Sequence, residues 1–328
     1  MAAATDEKFI NLAGGTIDER IIKKLKKIIP ASVYISHLSK LMEGEYADDF
    51  EYVVIAGGAA EANRAFFDMI TRSFAFASSK YPQVAIGDSY GMREHATYMQ
   101  NLKTCQVSVL EPDVRTRQFT QLSGNIRKTT CLVSVANSCT ITGEIRDLTE
   151  LSDMCREKSI IFHVDITDSA GFLDINPRKI GINAFTIDFS RLGGSIGATI
   201  LAIDKAVIEG YEITPILGNV AGGTLATCYH SLNFAIQNRD INIKNAMALK
   251  TYLVEELKKK FPDVKLISFV NCLPNVATVQ FCVPMYIPDN IIIANKNKDS
   301  DVFKIMLSPS NSNKDVDAFV QLLTTKKY

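Results

Sequence analysis

The sequence has little of what marks a metal site or a secreted protein. Its four histidines are scattered, and neither a CxxC nor an HExxH motif occurs, so no metal site is expected. The seven cysteines are odd in number and have no paired spacing. This usage is typical of reduced thiols, and we expect a cytoplasmic protein.

The chain also lacks net charge and long hydrophobic runs. Lysine and arginine number 36, aspartate and glutamate number 36, and both kinds are spread evenly. This balance gives no electrostatic case for binding nucleic acid or an anionic membrane. The opening MAAATDEKF has no basic-then-apolar signal pattern, and no uninterrupted apolar run approaches the roughly 20 residues of a membrane helix.

What the sequence does have is a series of apolar runs of strand length that alternate with helical patterns. With 47% hydrophobic residues, 328 residues can bury a large core. Alternation of this kind predicts an α/β fold with a mostly parallel sheet covered on both faces. Ligands in such sheets bind at the carboxyl ends of strands, where Asp165 and Asp188–Arg191 fall. The predicted central strands are Leu132–Ala136, Ile160–Val164, Ala184–Ile187 and Ala198–Ile203.

The pattern changes after a long predicted helix, Ile243–Lys260. From Val264 onwards short alternating strands dominate, and a last helix is predicted over Lys314–Leu323. This tail predicts a smaller α+β domain. We therefore predict an N-terminal arm over residues 1–20, a large domain over 21–235 and a small domain over 236–328.

A loop of small residues, Gly57–Asn63, opens a predicted helix after the strand Tyr52–Ala56. Small residues serve either tight packing of a strand against a helix or close approach of backbone N–H groups to a phosphate. The loop alone does not choose between these uses. A generic nucleotide-binding protein would use this loop, but the chain lacks GxGxxG and a Walker lysine.

Ordered motifs along nearly the whole chain resemble those of the class V aminotransferases, specifically their cysteine desulfurase (NifS-like) branch. The resemblance implies a fold-type-I pyridoxal-phosphate transferase with a three-layer large domain, a smaller C-terminal domain and a homodimer with the cofactor near its interface. The divergence is similar to that of NifS-like proteins from some large DNA viruses. The matching segments are Phe9–Ala13 (YLDNAAT in the family), Gly58–Asn63 (GATESN), Glu94–Ala96 (EHxA), Phe162–Asp165 (FHTD) and Gly222–Leu225 (RSGTL).

The resemblance assigns several retained cofactor-binding positions. Asp165 matches the aspartate that keeps the pyridine nitrogen protonated, so that the ring can accept electrons. His95 matches the histidine that stacks on the ring, and Thr224 matches the threonine that reaches the phosphate from the neighbouring subunit. Gly58 and Ala59 belong to the loop beside the phosphate.

Other positions depart from the family. Asp188-Phe189-Ser190-Arg191 stands in place of SxHK, whose lysine forms the Schiff base, and the guanidinium of Arg191 cannot supply a free amine. Asp188 replaces a phosphate-binding serine, and its carboxylate repels a phosphate unless Arg191 screens it. Ala60 replaces a threonine, and Asp168 replaces a glutamine.

The expected substrate groups are also missing. The family's asparagine falls around Cys139-Thr140, and the arginine that clamps the substrate carboxylate aligns with Met306. The interval from Pro284 to Lys304, where the nucleophilic cysteine of a desulfurase should lie, contains no cysteine and is short. Cys272 and Cys282 lie nearby; Cys282 falls in an apolar strand pattern, which favours a structural thiol over a persulfide carrier.

Two hypotheses follow. In the first, the chain keeps the fold and dimer but has lost desulfurase chemistry, binds pyridoxal phosphate weakly or not at all, and acts by binding a small anion or a protein such as an active desulfurase. Arg191 then belongs to a charge-balanced buried cluster with Asp165, Asp168 and Asp188.

In the second hypothesis, the chain is an active enzyme. It would hold the cofactor non-covalently through Asp165 and His95, or use another lysine such as Lys179 or Lys205.

Overall fold

A twisted seven-stranded sheet forms the centre of the fold. The computed structural model describes residues 10–11, 21, 31–44, 49–113, 119, 122–212, 222–267, 271–283, 285–286, 291–292, 295–296 and 302–325. Across the sheet the strands run in the order β2-β8-β7-β6-β5-β3-β4. They are β2 (Phe50–Ala56), β3 (Gln83–Ile86), β4 (Gln106–Val109), β5 (Thr130–Ala136), β6 (Ile161–Asp165), β7 (Ala184–Asp188) and β8 (Ala198–Asp204).

Strand direction in this sheet confirms the prediction of a mostly parallel arrangement. Strands β3 to β7 pair in parallel, whereas β8 runs antiparallel to both of its neighbours, β2 and β7. Since β3, β5, β6 and β8 are buried along their whole length, they read as mostly apolar runs in the sequence.

Helices cover both faces of the sheet, giving three layers. Successive strand residues point to opposite faces, so Leu132 joins one hydrophobic cluster with Phe66 while Val133 joins the other with Leu38. The helices are α1 (Ala31–Glu43), α2 (Ala59–Ser78), α3 (Met92–Asn101), α4 (Leu122–Asn125), α5 (Thr149–Glu157), α6 (Pro177–Ile180), α7 (Lys205–Gly210) and α8 (Gly222–Gln237).

The C-terminal part forms an α+β unit with its own core. An antiparallel sheet in the order β13-β14-β10-β9 packs on two helices, with Leu253, Phe303 and Phe319 in one buried cluster. This agrees with the predicted change of pattern, while the boundary at 235/236 stays a prediction. The elements are α9 (Arg239–Lys260), β9 (Lys265–Ile267), β10 (Val276–Gln280), β13 (Asn295–Lys296), β14 (Val302–Met306) and α10 (Asn313–Leu322).

Two pairings of two residues each lie outside these two sheets. Strand β1 (Ile10–Asn11) pairs in parallel with β12 (Ile291–Ile292), and β11 (Met285–Tyr286) pairs antiparallel with β15 (Thr324–Thr325). The rest of the predicted N-terminal arm and most of the interval 284–301 lie outside the described residues. Among the helices that the structure describes, none is both long enough and apolar enough to cross a bilayer.

Candidate functional site

The candidate site lies at the carboxyl ends of the parallel strands, as predicted. Asp165 ends β6 and Asp188 ends β7. The 3₁₀ turn Phe189–Leu192 follows β7 directly and carries Arg191. Because neighbouring parallel strands end at the same edge of the sheet, their acidic and basic side chains converge there.

Asp165 is buried and held by three donors. Its Oδ2 accepts from Asn63 Nδ2 at 2.8 Å and from the Tyr90 backbone N–H at 3.3 Å, and its Oδ1 accepts from the Thr167 backbone N–H at 3.0 Å. Burial raises the pKa of Asp165; hydrogen bonds from Thr167 and Asn63 oppose this without cancelling it. The Asp165 carboxylate is therefore suited to a neighbouring positive charge, which would stabilise its ionised form.

Asp168 is the centre of a second buried cluster. Tyr90 Oη donates a hydrogen bond of 2.9 Å to Asp168 Oδ2. Lys304 Nζ forms an ion pair with Asp168 Oδ2, and Arg191 Nε lies 4.0 Å from Asp168 Oδ1. Lys304 comes from β14 of the C-terminal sheet and is 1% exposed. Hence one carboxylate joins the central sheet to the C-terminal unit.

Arg191 keeps its charge in this setting. Burial lowers the pKa of its guanidinium, whereas the negative charges of Asp168 and Asp188 raise it. The net effect is a pKa above the ordinary value of arginine. Its Cζ also lies 5.7 Å from the centre of the Tyr90 ring. Of the predicted cluster, the structure thus shows the ion pair of Arg191 with Asp168, and residue 191 presents no amine.

The small-residue loop brings Asp188 to the start of α2. Gly58 has φ +87°, and a β-carbon there would lie 3.2 Å from Asp188 Oδ2. Asp188 Oδ1 accepts from the Ser190 backbone N–H at 3.0 Å. Ala60 packs tightly, since a β-carbon on Gly91 would lie 2.7 Å from Ala60 Cβ. The loop therefore serves close packing and faces a carboxylate.

His95 does not lie in this site, and its predicted stacking role was wrong for the described structure. Its Nε2 is 2.7 Å from Asp68 Oδ1, and its ring meets Phe67 edge-on at 5.1 Å. The residue lies within α3, which begins at Met92, so it turns towards α2. Tyr90, which precedes that helix, is the aromatic residue that contacts both Asp165 and Asp168.

The sequence analysis also missed two polar residues of the site. Asn137, directly after β5, accepts from Ser169 Oγ at 2.6 Å, and its backbone N–H donates to the Asp165 carbonyl at 3.1 Å. Asn137 is thus an asparagine near the predicted position, while the match of the family's asparagine to Cys139-Thr140 stays a prediction. On β14, Lys304 reaches Asp168, whereas Met306 packs in an apolar cluster. The sequence signal for Lys304 was a single lysine in an otherwise apolar strand pattern.

The remaining predicted residues have other surroundings. Thr224 lies in the first turn of α8, where its carbonyl accepts from Thr227 Oγ1 at 2.7 Å; its role towards a second subunit stays a prediction. Cys282 follows the end of β10 and is exposed, so the expectation that it lies within a strand was wrong. Lys205 is exposed at the start of α7, and Lys179 lines a separate cleft of about 290 Å³.

Two polar groups of the site, Arg191 and Asp188, do not suit covalently held pyridoxal phosphate. Residue 191 is a guanidinium, and the Asp188 carboxylate faces the helix start where a phosphate would need donors. The cavity beside Arg191, bordered by Phe172 and Ser308, has a volume of only about 10 Å³, room for about one water. One buried acceptor, Asn63 Oδ1, has no hydrogen-bond partner. Within the described residues, no three histidine, cysteine or acidic side chains are grouped to hold a metal.

Sequence comparisons identify relatives with this architecture. A family model described as aminotransferase class-V matches residues 88–239. The cysteine desulfurase IscS of Dictyoglomus turgidum is 24% identical over 245 residues, which cover 69% of this chain and 59% of the relative. That of Buchnera aphidicola is 29% identical over 150 residues, 45% of this chain and 37% of the relative. The matches thus span less than two thirds of the length of either relative.

Solved structures show the same fold at lower identity. A NifS-like protein superposes with a TM-score of 0.76 at 16% identity, covering 95% of this chain and 96% of the other. A NifS-like protein from Rickettsia africae superposes with a TM-score of 0.69 at 16% identity, and the match covers 95% of this chain and 96% of the other. The structure of SspA in complex with cysteine superposes with a TM-score of 0.68 at 14% identity, and the match covers 92% of this chain and 99% of the other. These likenesses confirm the predicted fold class.

Proposed function

We propose, from the premise that this chain belongs to the class V aminotransferase family and its NifS-like branch, that it acts by binding and has lost desulfurase chemistry. The residue that carries the proposal is Arg191, which the motif resemblance assigns to the position of the family's Schiff-base lysine. Its guanidinium is charged and lies beside Asp168. An arginine cannot form the imine that the family's chemistry requires.

A second observation supports the same proposal. The Asp188 carboxylate faces the first residues of α2, where a cofactor phosphate would seek backbone donors. Two anions at one helix start repel each other, and Asp188 is fixed there by the Ser190 backbone N–H. Pyridoxal phosphate would therefore bind weakly or not at all.

The proposed partners follow from the family and from the chemistry of the site. A homodimer, a complex with an active desulfurase, or capture of a small anion would each use the fold without catalysis. A cytoplasmic location agrees with the buried thiols. Burial raises the pKa of Cys105 to about 11 and those of Cys131, Cys155 and Cys228 to about 12, which keeps them protonated and unreactive.

One observation favours a second function, that of an active pyridoxal-phosphate enzyme. Lys304 places a primary amine inside the site, next to Asp168 and Tyr90. Of the lysines considered, it replaces Lys179 and Lys205 as the candidate for an imine, because those two lie away from the Asp168 cluster.

The test is a visible absorption spectrum of the purified protein after incubation with pyridoxal phosphate and desalting, followed by borohydride reduction and peptide mapping. An active cysteine desulfurase treated in parallel is the positive control. We expect no retained chromophore and no reduced lysine adduct in this protein. A reducible adduct on one lysine would refute the proposal, and its position would identify the catalytic residue.

A further inference from the structure

Two buried cations converge on one carboxylate in the site. Lys304 and Asp168 have side chains that are 0% and 3% exposed, and their charged groups are in contact. Arg191 Nε approaches the other carboxylate oxygen at 4.0 Å. Tyr90 Oη donates to the same carboxylate and lies 3.2 Å from Lys304 Nζ. Asp168 is thus surrounded by donors and positive charge.

Charge compensation of Lys304 depends on Asp168. The Lys304 ammonium is fully buried and contacts the Asp168 carboxylate. Removing that carboxylate would leave the ammonium without the anion that it contacts, which is strongly unfavourable unless another anion replaces it.

The backbone around Asp168 is fixed before any ligand arrives. Ser169 Oγ donates to Asn137 Oδ1 at 2.6 Å, and the Thr167 backbone N–H donates to Asp165 Oδ1 at 3.0 Å. The carboxylate between these two residues is therefore held at a high effective concentration next to Lys304.

We propose that Lys304, Arg191 and Tyr90 form an anion subsite for a small carboxylate, and that Asp168 is its internal occupant. A free carboxylate enters only by displacing the Asp168 side chain, so the chain's own residue excludes weak anionic ligands. This rests on the proposed function above, in which no imine-linked cofactor fills the pocket.

The test replaces the internal carboxylate with an external one. In Asp168→Ala, acetate has the size and charge of the missing group. We expect sodium acetate to raise the Tm of this variant saturably, by about 2–4 °C more than sodium chloride at equal ionic strength. The natural protein should show no such difference. Asp153→Ala, which removes the partner of Arg156 at the surface, is the matched control and should also show none.

Lys304 is tested by the double variant Asp168→Ala, Lys304→Met, in which the acetate response should disappear. If Asp168→Ala does not fold in chloride, its refolding yield in sodium acetate against sodium chloride at equal ionic strength carries the same comparison. If acetate and chloride change the Tm of Asp168→Ala equally, the proposed anion subsite is wrong. If the acetate response persists in the double variant, Lys304 does not belong to the subsite. Neither result depends on whether the natural protein retains pyridoxal phosphate, so failure of this inference is distinguishable from failure of the proposed function.

Discussion

Asn63 and Asp165 are joined by a hydrogen bond of 2.8 Å between side chains 102 positions apart. The same Nδ2 group lies 2.9 Å from the Tyr90 carbonyl, to which it donates its second hydrogen. Asn63 is fully buried in the first turns of α2. One amide therefore positions the start of α2, the segment before α3 and the end of β6 relative to each other.

Replacing Asn63 by alanine should lower the free energy of unfolding by about 1–3 kcal/mol, because Asp165 loses a buried donor and the Tyr90 carbonyl loses its partner. Urea unfolding monitored by circular dichroism measures the change. Asn101→Ala, at the exposed end of α3, is the control and should alter stability by less than about 0.5 kcal/mol. Equal effects of the two changes would contradict the linking role of Asn63.

His163 should make the protein sensitive to mild acid. It lies between Ser134 Oγ at 2.8 Å and Thr186 Oγ1 at 3.0 Å, and burial lowers its pKa from 6.5 to about 3. As the pH falls below 6.5, the unfolded chain takes up a proton that the folded chain does not, so stability is lost down to about pH 3. Between pH 7 and pH 5 this amounts to about 2 kcal/mol.

His163→Gln keeps hydrogen-bonding capacity but does not titrate. Its loss of stability between pH 7 and pH 5, measured by urea unfolding at each pH, should be about 2 kcal/mol smaller than that of the natural protein. Parallel losses in the two proteins would show that another group causes the acid sensitivity.

Gly143 should tolerate no side chain. Its φ is +71°, and a β-carbon would lie 2.7 Å from Val276 Cβ at the start of β10. Gly143→Ala is expected to lower the free energy of unfolding by about 2–4 kcal/mol through backbone strain and overpacking. Gly124→Ala, whose β-carbon would meet no atom within 4 Å beyond its chain neighbours and its own helix backbone, serves as the control and should cost nothing. Thermal unfolding of the two variants decides between these outcomes.

Two substitutions together should open the site to the family's cofactor. Arg191→Lys supplies a primary amine, but Asp188 still faces the start of α2. We therefore expect Arg191→Lys alone to retain little pyridoxal phosphate. The double variant Asp188→Ser, Arg191→Lys should give a borohydride-reducible adduct at position 191, detected by mass spectrometry. Asp188→Ser alone lacks the amine and controls for non-covalent binding. An equally strong adduct in the single lysine variant would rule out a blocking role for Asp188.

The central sheet could be predicted because its buried strands are mostly apolar runs. The predicted Leu132–Ala136 lies within β5, Thr130–Ala136, and Asp165 and Arg191 fall at strand ends that topology alone brings together. Lys304 could not be placed in the same way. It lies 136 positions from Asp168, and periodicity does not tell which strand of a second unit faces the site. His95 was misplaced because a short motif match ignored the helix face on which the residue lies.

Strand β2 pairs with β8, which is synthesised much later in the chain. Phe50 pairs with Asp204 and Ala56 with Ala198, so β2 has its partner only after some 150 further residues have been made. At synthesis rates of about 5–20 residues per second, this segment takes about 7–30 s. During that time β2 is an apolar strand with unpaired backbone groups, open to association with other nascent chains. The order of strands thus leaves the pairing of β2 to a late stage of synthesis.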